Sequence, residues 1–259
     1  MNPKLEITLL GTGTSQGIPV IGCPCKVCSS SDPRDKRLRT AAFIQADDYG
    51  FAVDLGPDFR AQMINNKLSN VHAVLLTHEH NDHISGLDDI RPINFRYNRN
   101  IPIYGSSRTL GEINRRFDYA FDKEYHYPGK PHVTGIAIDD EPFIVNGISI
   151  TPIPVDHGDM PIYGFRIGNL AYITDAKFIP PDSKALLQNL EVLVLNALRF
   201  EPHNTHLNIE EAIALVSELK PGKCFLTHIS HDTGLHAEVD TMLPAGIKLG
   251  FDGLRIQLT

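Results

Sequence analysis

The chain has 259 residues, 42% of them hydrophobic and 21% charged, with a formal net charge of −7 at pH 7. That composition suits a globular protein with a sizeable core and excludes a disordered or fibrous chain. The acidic balance provides no global basic field to gather nucleic acid, and no apolar run approaches the length of a membrane span. With no charged-then-apolar leader pattern at the start, the reading is a cytoplasmic protein without a membrane partner.

The first expected element is a strand over residues 7–10, running into Gly11-Thr12-Gly13-Thr14-Ser15-Gln16-Gly17. This glycine-rich run lacks the Gly-Lys-Ser/Thr end of a P-loop and reads as a tight loop, although its amides could touch a phosphate. Gly22-Cys23-Pro24-Cys25-Lys26-Val27-Cys28 follows. Thiols this crowded have poor disulfide geometry but good metal-ligand geometry, and three thiolates are one donor short of a closed tetrahedral zinc site. A small zinc segment over about 22–31 is therefore expected. The basic stretch Arg34-Asp35-Lys36-Arg37-Leu38-Arg39 reads as a solvated loop in preference to an anion contact.

Further strands are expected over 42–45, 51–54, 73–76, 101–104, 136–138, 148–154, 163–167, 170–174, 192–197, 223–227 and 254–257, rich in β-branched or aromatic residues and bounded by turn residues. Gly168-Asn169 is a hairpin signal between two of them. Helices are expected over 57–66, 106–120, 181–188, 209–218 and 236–243. The clearest start is Asn208, a capping residue followed by Glu210 and Glu211 and by apolar Ile209, Ala212, Ile213 and Val216. Many strands with interspersed helices imply an α+β, four-layer αββα sandwich, taken as one domain over 1–259. Cys224, in an apolar strand-like run, reads as a small core residue.

The strongest chemical signal is Thr77-His78-Glu79-His80-Asn81-Asp82-His83, after the strand over 73–76. Three histidines and a carboxylate at a strand end supply nitrogen and oxygen donors suited to Zn²⁺, Mn²⁺ or Fe. His78 and His80 can reach one ion; Asp82 and His83, at the start of the next helix, can reach a second beside it.

An HxHxDH motif after a strand resembles the signature of the metallo-β-lactamase superfamily, and the other ligands that resemblance implies occur in order along the chain. His157 ends Pro154-Val155-Asp156-His157, Asp175 ends Tyr172-Ile173-Thr174-Asp175, and His228 ends Phe225-Leu226-Thr227-His228. The resemblance assigns His78, His80 and His157 to one metal and Asp82, His83 and His228 to the other, with Asp175 bridging. Asp82 is expected to serve the chemistry as well as the metal. Two divalent ions at about 3.5–4 Å can acidify a water and clamp an in-line displacement.

The cysteine segment narrows the resemblance to phosphodiesterases of the PhnP type, in the tRNase Z-related branch. It implies that His231 joins Cys23, Cys25 and Cys28 around a structural zinc. PqqB-like proteins of this fold also carry a cysteine cluster. The same resemblance implies a histidine facing the scissile phosphate. His206, just before the capped helix, fits it better than His203, as general acid or as a partner of the phosphate charge. His72, His126, His132 and His236 are assigned surface or supporting roles.

The expected function is a binuclear phosphodiesterase acting on a small cyclic phosphate or related phosphodiester, with two Zn, Mn or Fe ions and one structural Zn. The alternatives are a transfer-RNA 3′-processing endonuclease and a non-catalytic PqqB-like metal-binding protein. Nucleic acid is the less favoured partner, because the net charge is unfavourable and no long basic insertion is present. A β-lactamase is disfavoured because many such enzymes carry Cys or Ser where this chain has Asp175. Dimers are common on this fold, so a homodimer is compatible with it. Arg91, Arg96, Tyr97, Arg99, Arg115 and Arg116 are expected to help shape the pocket.

Overall fold

The structure is a computed structural model describing residues 3–122, 124 and 127–258. His126 lies outside the described residues. The chain first makes β1 (Leu5–Gly11), β2 (Ala41–Ala46), β3 (Tyr49–Val53), β4 (Ala73–Leu75), β5 (Ile101–Ser106) and β6 (Val133–Ile138). It then makes β7 (Phe143–Val145), β8 (Ile148–His157), β9 (Met160–Ile167), β10 (Leu170–Ile173), β11 (Val192–Asn196), β12 (Lys223–Thr227) and β13 (Ile247–Leu249), and β14 (Arg255–Gln257) returns to pair with β1. One sheet runs β14-β1-β2-β3-β4-β5-β6 and the other β13-β12-β11-β10-β9-β8-β7.

Successive strand side chains point to opposite faces, so each sheet serves two cores. Ile7, Ile44, Phe51, Val53 and Leu75 of the first sheet meet Phe165, Leu170, Tyr172 and Val194 of the second in a shared inner core. The alternate residues Phe43, Ala52 and Val74 face outward, toward α1 (Phe59–Asn65), α2 (Asn81–Ile84), α3 (Arg91–Tyr97), α4 (Ser107–Arg116) and α5 (Asp118–Phe121). Ala171, Leu193, Leu195 and Leu226 face α6 (Pro181–Leu186), α7 (Ile209–Leu219) and α8 (His236–Met242). Helices thus cover both outer faces, as the αββα reading requires. Full burial of one such large apolar side chain contributes about 1.5–3 kcal/mol. Cys224 is 1% exposed within the outer core of the second sheet, the small core residue its surroundings in the sequence suggest.

The local signals act as expected in several places. Asn208 accepts from the Glu211 backbone N–H at 2.8 Å while the Glu211 carboxylate accepts from the Asn208 N–H at 2.9 Å, a complete capping box on α7. Gly168, with φ +58°, turns β9 into β10. The helix expected over 106–120 divides instead into α4 and α5, because Phe117 takes φ −123° and ψ 42°. Three elements go beyond the expectation: α3, which starts on Arg91-Pro92, and the three-residue strands β7 and β13. The turn from β7 to β8 is Asn146-Gly147 with positive φ at both residues, a readable hairpin dipeptide.

The basic stretch corrects the solvated-loop reading. Arg37 is 3% exposed. Its guanidinium donates to the Gly250 carbonyl at 2.6 Å and to Thr12 Oγ1 at 2.8 Å, tying the loop to the residues that follow β13 of the second sheet and β1 of the first. Arg39 pairs with Asp58 at 3.1 Å. No helix among the described residues is long and apolar enough to cross a membrane.

Candidate functional site

Four strand ends converge at one edge of the sandwich. The chain leaves β4 into His78, His80 and α2, which carries Asp82 and His83; β8 ends on His157; β10 leads to Asp175; β12 leads to His228. One donor atom from each of His78, His80 and His157 lies within 4.8 Å of the others, and the same holds for Asp82, His83 and His228. Asp175 stands between the two sets. Its Oδ1 is 3.0 Å from His228 Nε2 and its Oδ2 is 3.5 Å from His83 Nε2, and it also groups with His78 and with His157. The seven residues singled out in the sequence therefore come together.

A residue the sequence reading did not single out holds two of them. Asp54, at the end of β3, is fully buried. Its Oδ2 accepts from His83 Nδ1 at 2.7 Å, and its carboxylate accepts from the backbone N–H and the hydroxyl of Thr77. Because Thr77 donates its hydroxyl to Asp54, that oxygen is left to accept from His78 Nδ1, 2.9 Å away. His157 Nδ1 donates to the Thr205 carbonyl at 2.8 Å. These bonds fix the tautomers and leave the Nε2 lone pairs of His78, His83 and His157 for the cluster. The available signal was another carboxylate at a strand end, Val53-Asp54-Leu55.

The electrostatics call for a cation. Asp54, Asp82 and Asp175 meet here with side-chain exposures of 0%, 16% and 4%, and among the described residues no Lys or Arg pairs with any of them. Burial alone would neutralise such carboxylates. Burial pushes Asp54 up, whereas Asp175 is held well below the usual carboxylate range against its burial by His228 and His83. His83 is held well above the usual histidine range, against its burial, by Asp175 and Asp54. Burial and the neighbouring His83 drive His78 well down. The buried atoms His83 Nε2, His206 Nδ1 and His228 Nδ1 make no hydrogen bond. A nitrogen-and-carboxylate donor set with buried negative charge and orphaned imidazole nitrogens fits divalent metal, as the fold implies.

His206 sits against this cluster, its ring 4.6 Å from those of His157 and His228 and its Nδ1 3.8 Å from Asp175 Oδ1. Burial and His228 depress it to about 3, so the ring is neutral and presents an N–H donor. His203 stands one ring further out, 5.1 Å from His206.

The cysteine segment closes as a second cluster. Cys23 Sγ and Cys25 Sγ each lie 3.4 Å from His231 Nδ1, and Cys28 joins them within 4.8 Å. Cys25 is lowered to about 6, first by the Cys28 backbone N–H and then by His231, which favours the thiolate a metal requires. His231 follows His228 by three residues, so one segment serves both clusters.

The remaining assignments divide. His72 accepts from the Gly50 N–H, and His132 is exposed. His236 is no surface residue: it is 3% exposed, with Nδ1 3.0 Å from Arg37 and its backbone N–H on Asp35. Most of the arginines expected to shape the pocket have other partners. Arg91 pairs with Asp88, Arg115 and Arg116 with Glu112, and Arg99 donates to the Val71 carbonyl and Asn70. Arg116 alone among these reaches the metal loop, at Asn81, 3.4 Å away. Arg108, not singled out, pairs with Glu79 at 2.6 Å.

Residues 50–229 match the family described as beta-lactamase superfamily domain. The chain is 39% identical over 253 residues to an octanoyltransferase of Porphyromonas gingivalis, covering 96% of this chain and 51% of that protein. It therefore spans about half the length of that relative. A crystal structure of a diphosphatase from the PhnP family superposes with a TM-score of 0.91 at 39% identity, covering 98% of each chain. Zn²⁺-bound PqqB from Methylobacterium extorquens shares the fold, with a TM-score of 0.78 at 22% identity over 98% of this chain and all of that one.

Proposed function

Because the chain belongs to the beta-lactamase superfamily, and is a hydrolase of its metal-dependent fold, we propose that it is a binuclear phosphodiesterase acting on a small phosphodiester or diphosphate. The observation that carries this reading is Asp175, whose two oxygens reach His228 at 3.0 Å and His83 at 3.5 Å while it also groups with His78 and His157. One carboxylate shared by two donor sets is the arrangement for two neighbouring cations. His78, His80 and His157 would hold one, and Asp82, His83 and His228 the other. Zn²⁺ or Mn²⁺ suits both sets, with Fe also compatible. When bound, such cations supply Lewis acidity and a water acidified to a pKa near 7.

The chain's own groups do the rest. Asp54 and Thr77 hold His83 and His78 in their donor tautomers, and the Thr205 carbonyl does so for His157. His206, neutral and beside Asp175, donates its N–H to a phosphoryl oxygen. The charge of an arriving phosphoryl group raises its pKa, so the ring can take up a second proton and pass that one to the leaving oxygen. Cys23, Cys25, Cys28 and His231 would hold a structural zinc, bracing the segment that carries His228. The likeness to a PhnP-family diphosphatase supports a phosphorus substrate. The octanoyltransferase of Porphyromonas gingivalis is about twice as long as this chain.

The test is hydrolysis of bis(p-nitrophenyl) phosphate by the Zn²⁺- or Mn²⁺-loaded protein and by His206→Asn. The reading predicts turnover by the wild type and about a hundredfold lower kcat for the variant at unchanged metal content. A wild type inactive on every phosphodiester and diphosphate would overturn it.

A further inference from the structure

Resting on the phosphodiesterase reading, we infer that Arg199 and His203 form a second anion subsite beside His206. It receives the phosphoryl group of a two-phosphoryl substrate that is not attacked.

A substrate with two phosphoryl groups needs a cation next to the metal cluster that is not already neutralised. Every other arginine–carboxylate pair among the described residues closes to 3.1 Å or less: Arg34, Arg39, Arg91, Arg108, Arg115 and Arg116 all lie that near a partner. Arg199 differs. Its nearest carboxylates are Asp232, which accepts a long bond from Nη1 at 3.4 Å, and Glu201 at 3.9 Å, their side chains 49% and 69% exposed, and its buried Nε makes no hydrogen bond. A charge-assisted bond to an anion forms at about 2.7–2.9 Å, so neither acid holds this guanidinium in such a bond.

Its position is set by the backbone. The Arg199 carbonyl accepts from the Ile209 N–H, and Leu198 bonds Leu207 and Ser230. The 198–209 loop is therefore pinned between the start of α7 and the segment carrying His228 and His231. In that loop His203 Nδ1 accepts from the Thr205 N–H at 3.3 Å. A neutral His203 then carries its proton on Nε2, for which no partner is present among the described residues. Burial and then Arg199 lower the pKa of His203, in keeping with a guanidinium close to the ring. The His203 ring lies 5.1 Å from His206, which lies beside Asp175. With Arg199 in the same pinned loop, the metal cluster, His206 and His203 form a row running outward. Its reach suits adjacent phosphoryl groups joined through one oxygen.

The competing role for Arg199 is a strut to Asp232 that steadies the cysteine cluster. Equilibrium binding of pyrophosphate and of phosphate to the metal-loaded protein separates the two. The subsite predicts that wild type prefers pyrophosphate by tenfold or more. Arg199→Gln should reduce that preference about tenfold, His203→Gln about threefold, and Arg199→Lys should recover part of it, with zinc in the cysteine cluster retained in all three. Equal affinity of wild type for the two anions overturns the subsite, as does an Arg199→Gln variant that keeps the preference or loses it only together with zinc. Failure to hydrolyse any phosphodiester would instead strike the underlying reading, since these binding ratios do not depend on turnover.

Discussion

The active-site cluster draws its donors from positions as distant as His78 and His228, whereas the cysteine cluster takes three of its four from Cys23–Cys28. The distant donors sit on strand ends whose register is set by two large cores, and Asp54 and Thr77 fix their tautomers. The cysteines sit on a loop whose own core is small, built on Ile18, Val27 and Cys28. One cluster is thus positioned by the fold. The other, on the proposed reading, would substitute for a core once zinc is bound, as metals do in small elements that bury too little apolar surface. Removing donors should accordingly cost activity in the first and stability in the second.

The largest expected effect tests the first half of that contrast. His80 is exposed, so His80→Ala opens no buried cavity, although it removes the 3.0 Å contact of its Nδ1 with the buried His78 Nε2. It should lower kcat/KM on bis(p-nitrophenyl) phosphate about a thousandfold, roughly 4 kcal/mol at 1.36 kcal/mol per decade. The melting temperature should move by no more than about 2 °C. A variant that melts far lower would show that the strand ends do not hold the cluster by themselves.

Cys25→Ser tests the other half. It should remove one zinc per chain and destabilise by about 2–3 kcal/mol, or about 5–10 °C for a chain of this size. The active-site metals should stay, as read by elemental analysis beside a thermal melt. Loss of all metal at once would erase the distinction between the clusters.

Asp54→Asn sharpens the account of orientation. The amide keeps the shape but loses the charge-assisted bond to His83 Nδ1, 2.7 Å long. Groups that orient a metal-bound histidine are worth about 10–100-fold in affinity, so metal titration should show a drop in that range with the cysteine zinc untouched.

The smallest effect concerns acid. Burial and the neighbouring Arg37 depress His236 from 6.5 to about 4. The folded state therefore favours the neutral ring and binds fewer protons than the unfolded chain in that window. Its contribution is complete above pH 6.5 and is lost as pH falls toward 4. Melting curves over that range should slope less steeply for His236→Gln than for wild type, and parallel slopes would contradict the assignment.

How much of this was legible follows from how each residue acts. His78, His80, Asp82 and His83 could be read because their dense spacing after a strand is a local property of the chain, whereas His157, Asp175 and His228, each a single strand-end residue, were legible only through the family resemblance. The clustering of Cys23, Cys25 and Cys28 was legible from local spacing, like the first four. Asp54 was not, because a lone strand-end carboxylate looks the same whether it meets water or His83. Arg37 was misjudged because its burial depends on Gly250, 213 positions away, which no local charge pattern encodes. Strands β7 and β13 have three residues each, too few for a period of two to stand out, although Asn146-Gly147 marked the first. The reserve of Arg199 is visible only against the pairing of the other arginines, which is a property of the folded surface.

Anomalous diffraction from crystals grown with Mn²⁺ or Zn²⁺ tests the central claim most directly. The account predicts two ions about 3.5–4 Å apart, one among His78, His80 and His157 and one among Asp82, His83 and His228, with a carboxylate oxygen of Asp175 toward each or shared by both. A single ion, or a pair that leaves Asp175 without contact, would contradict it.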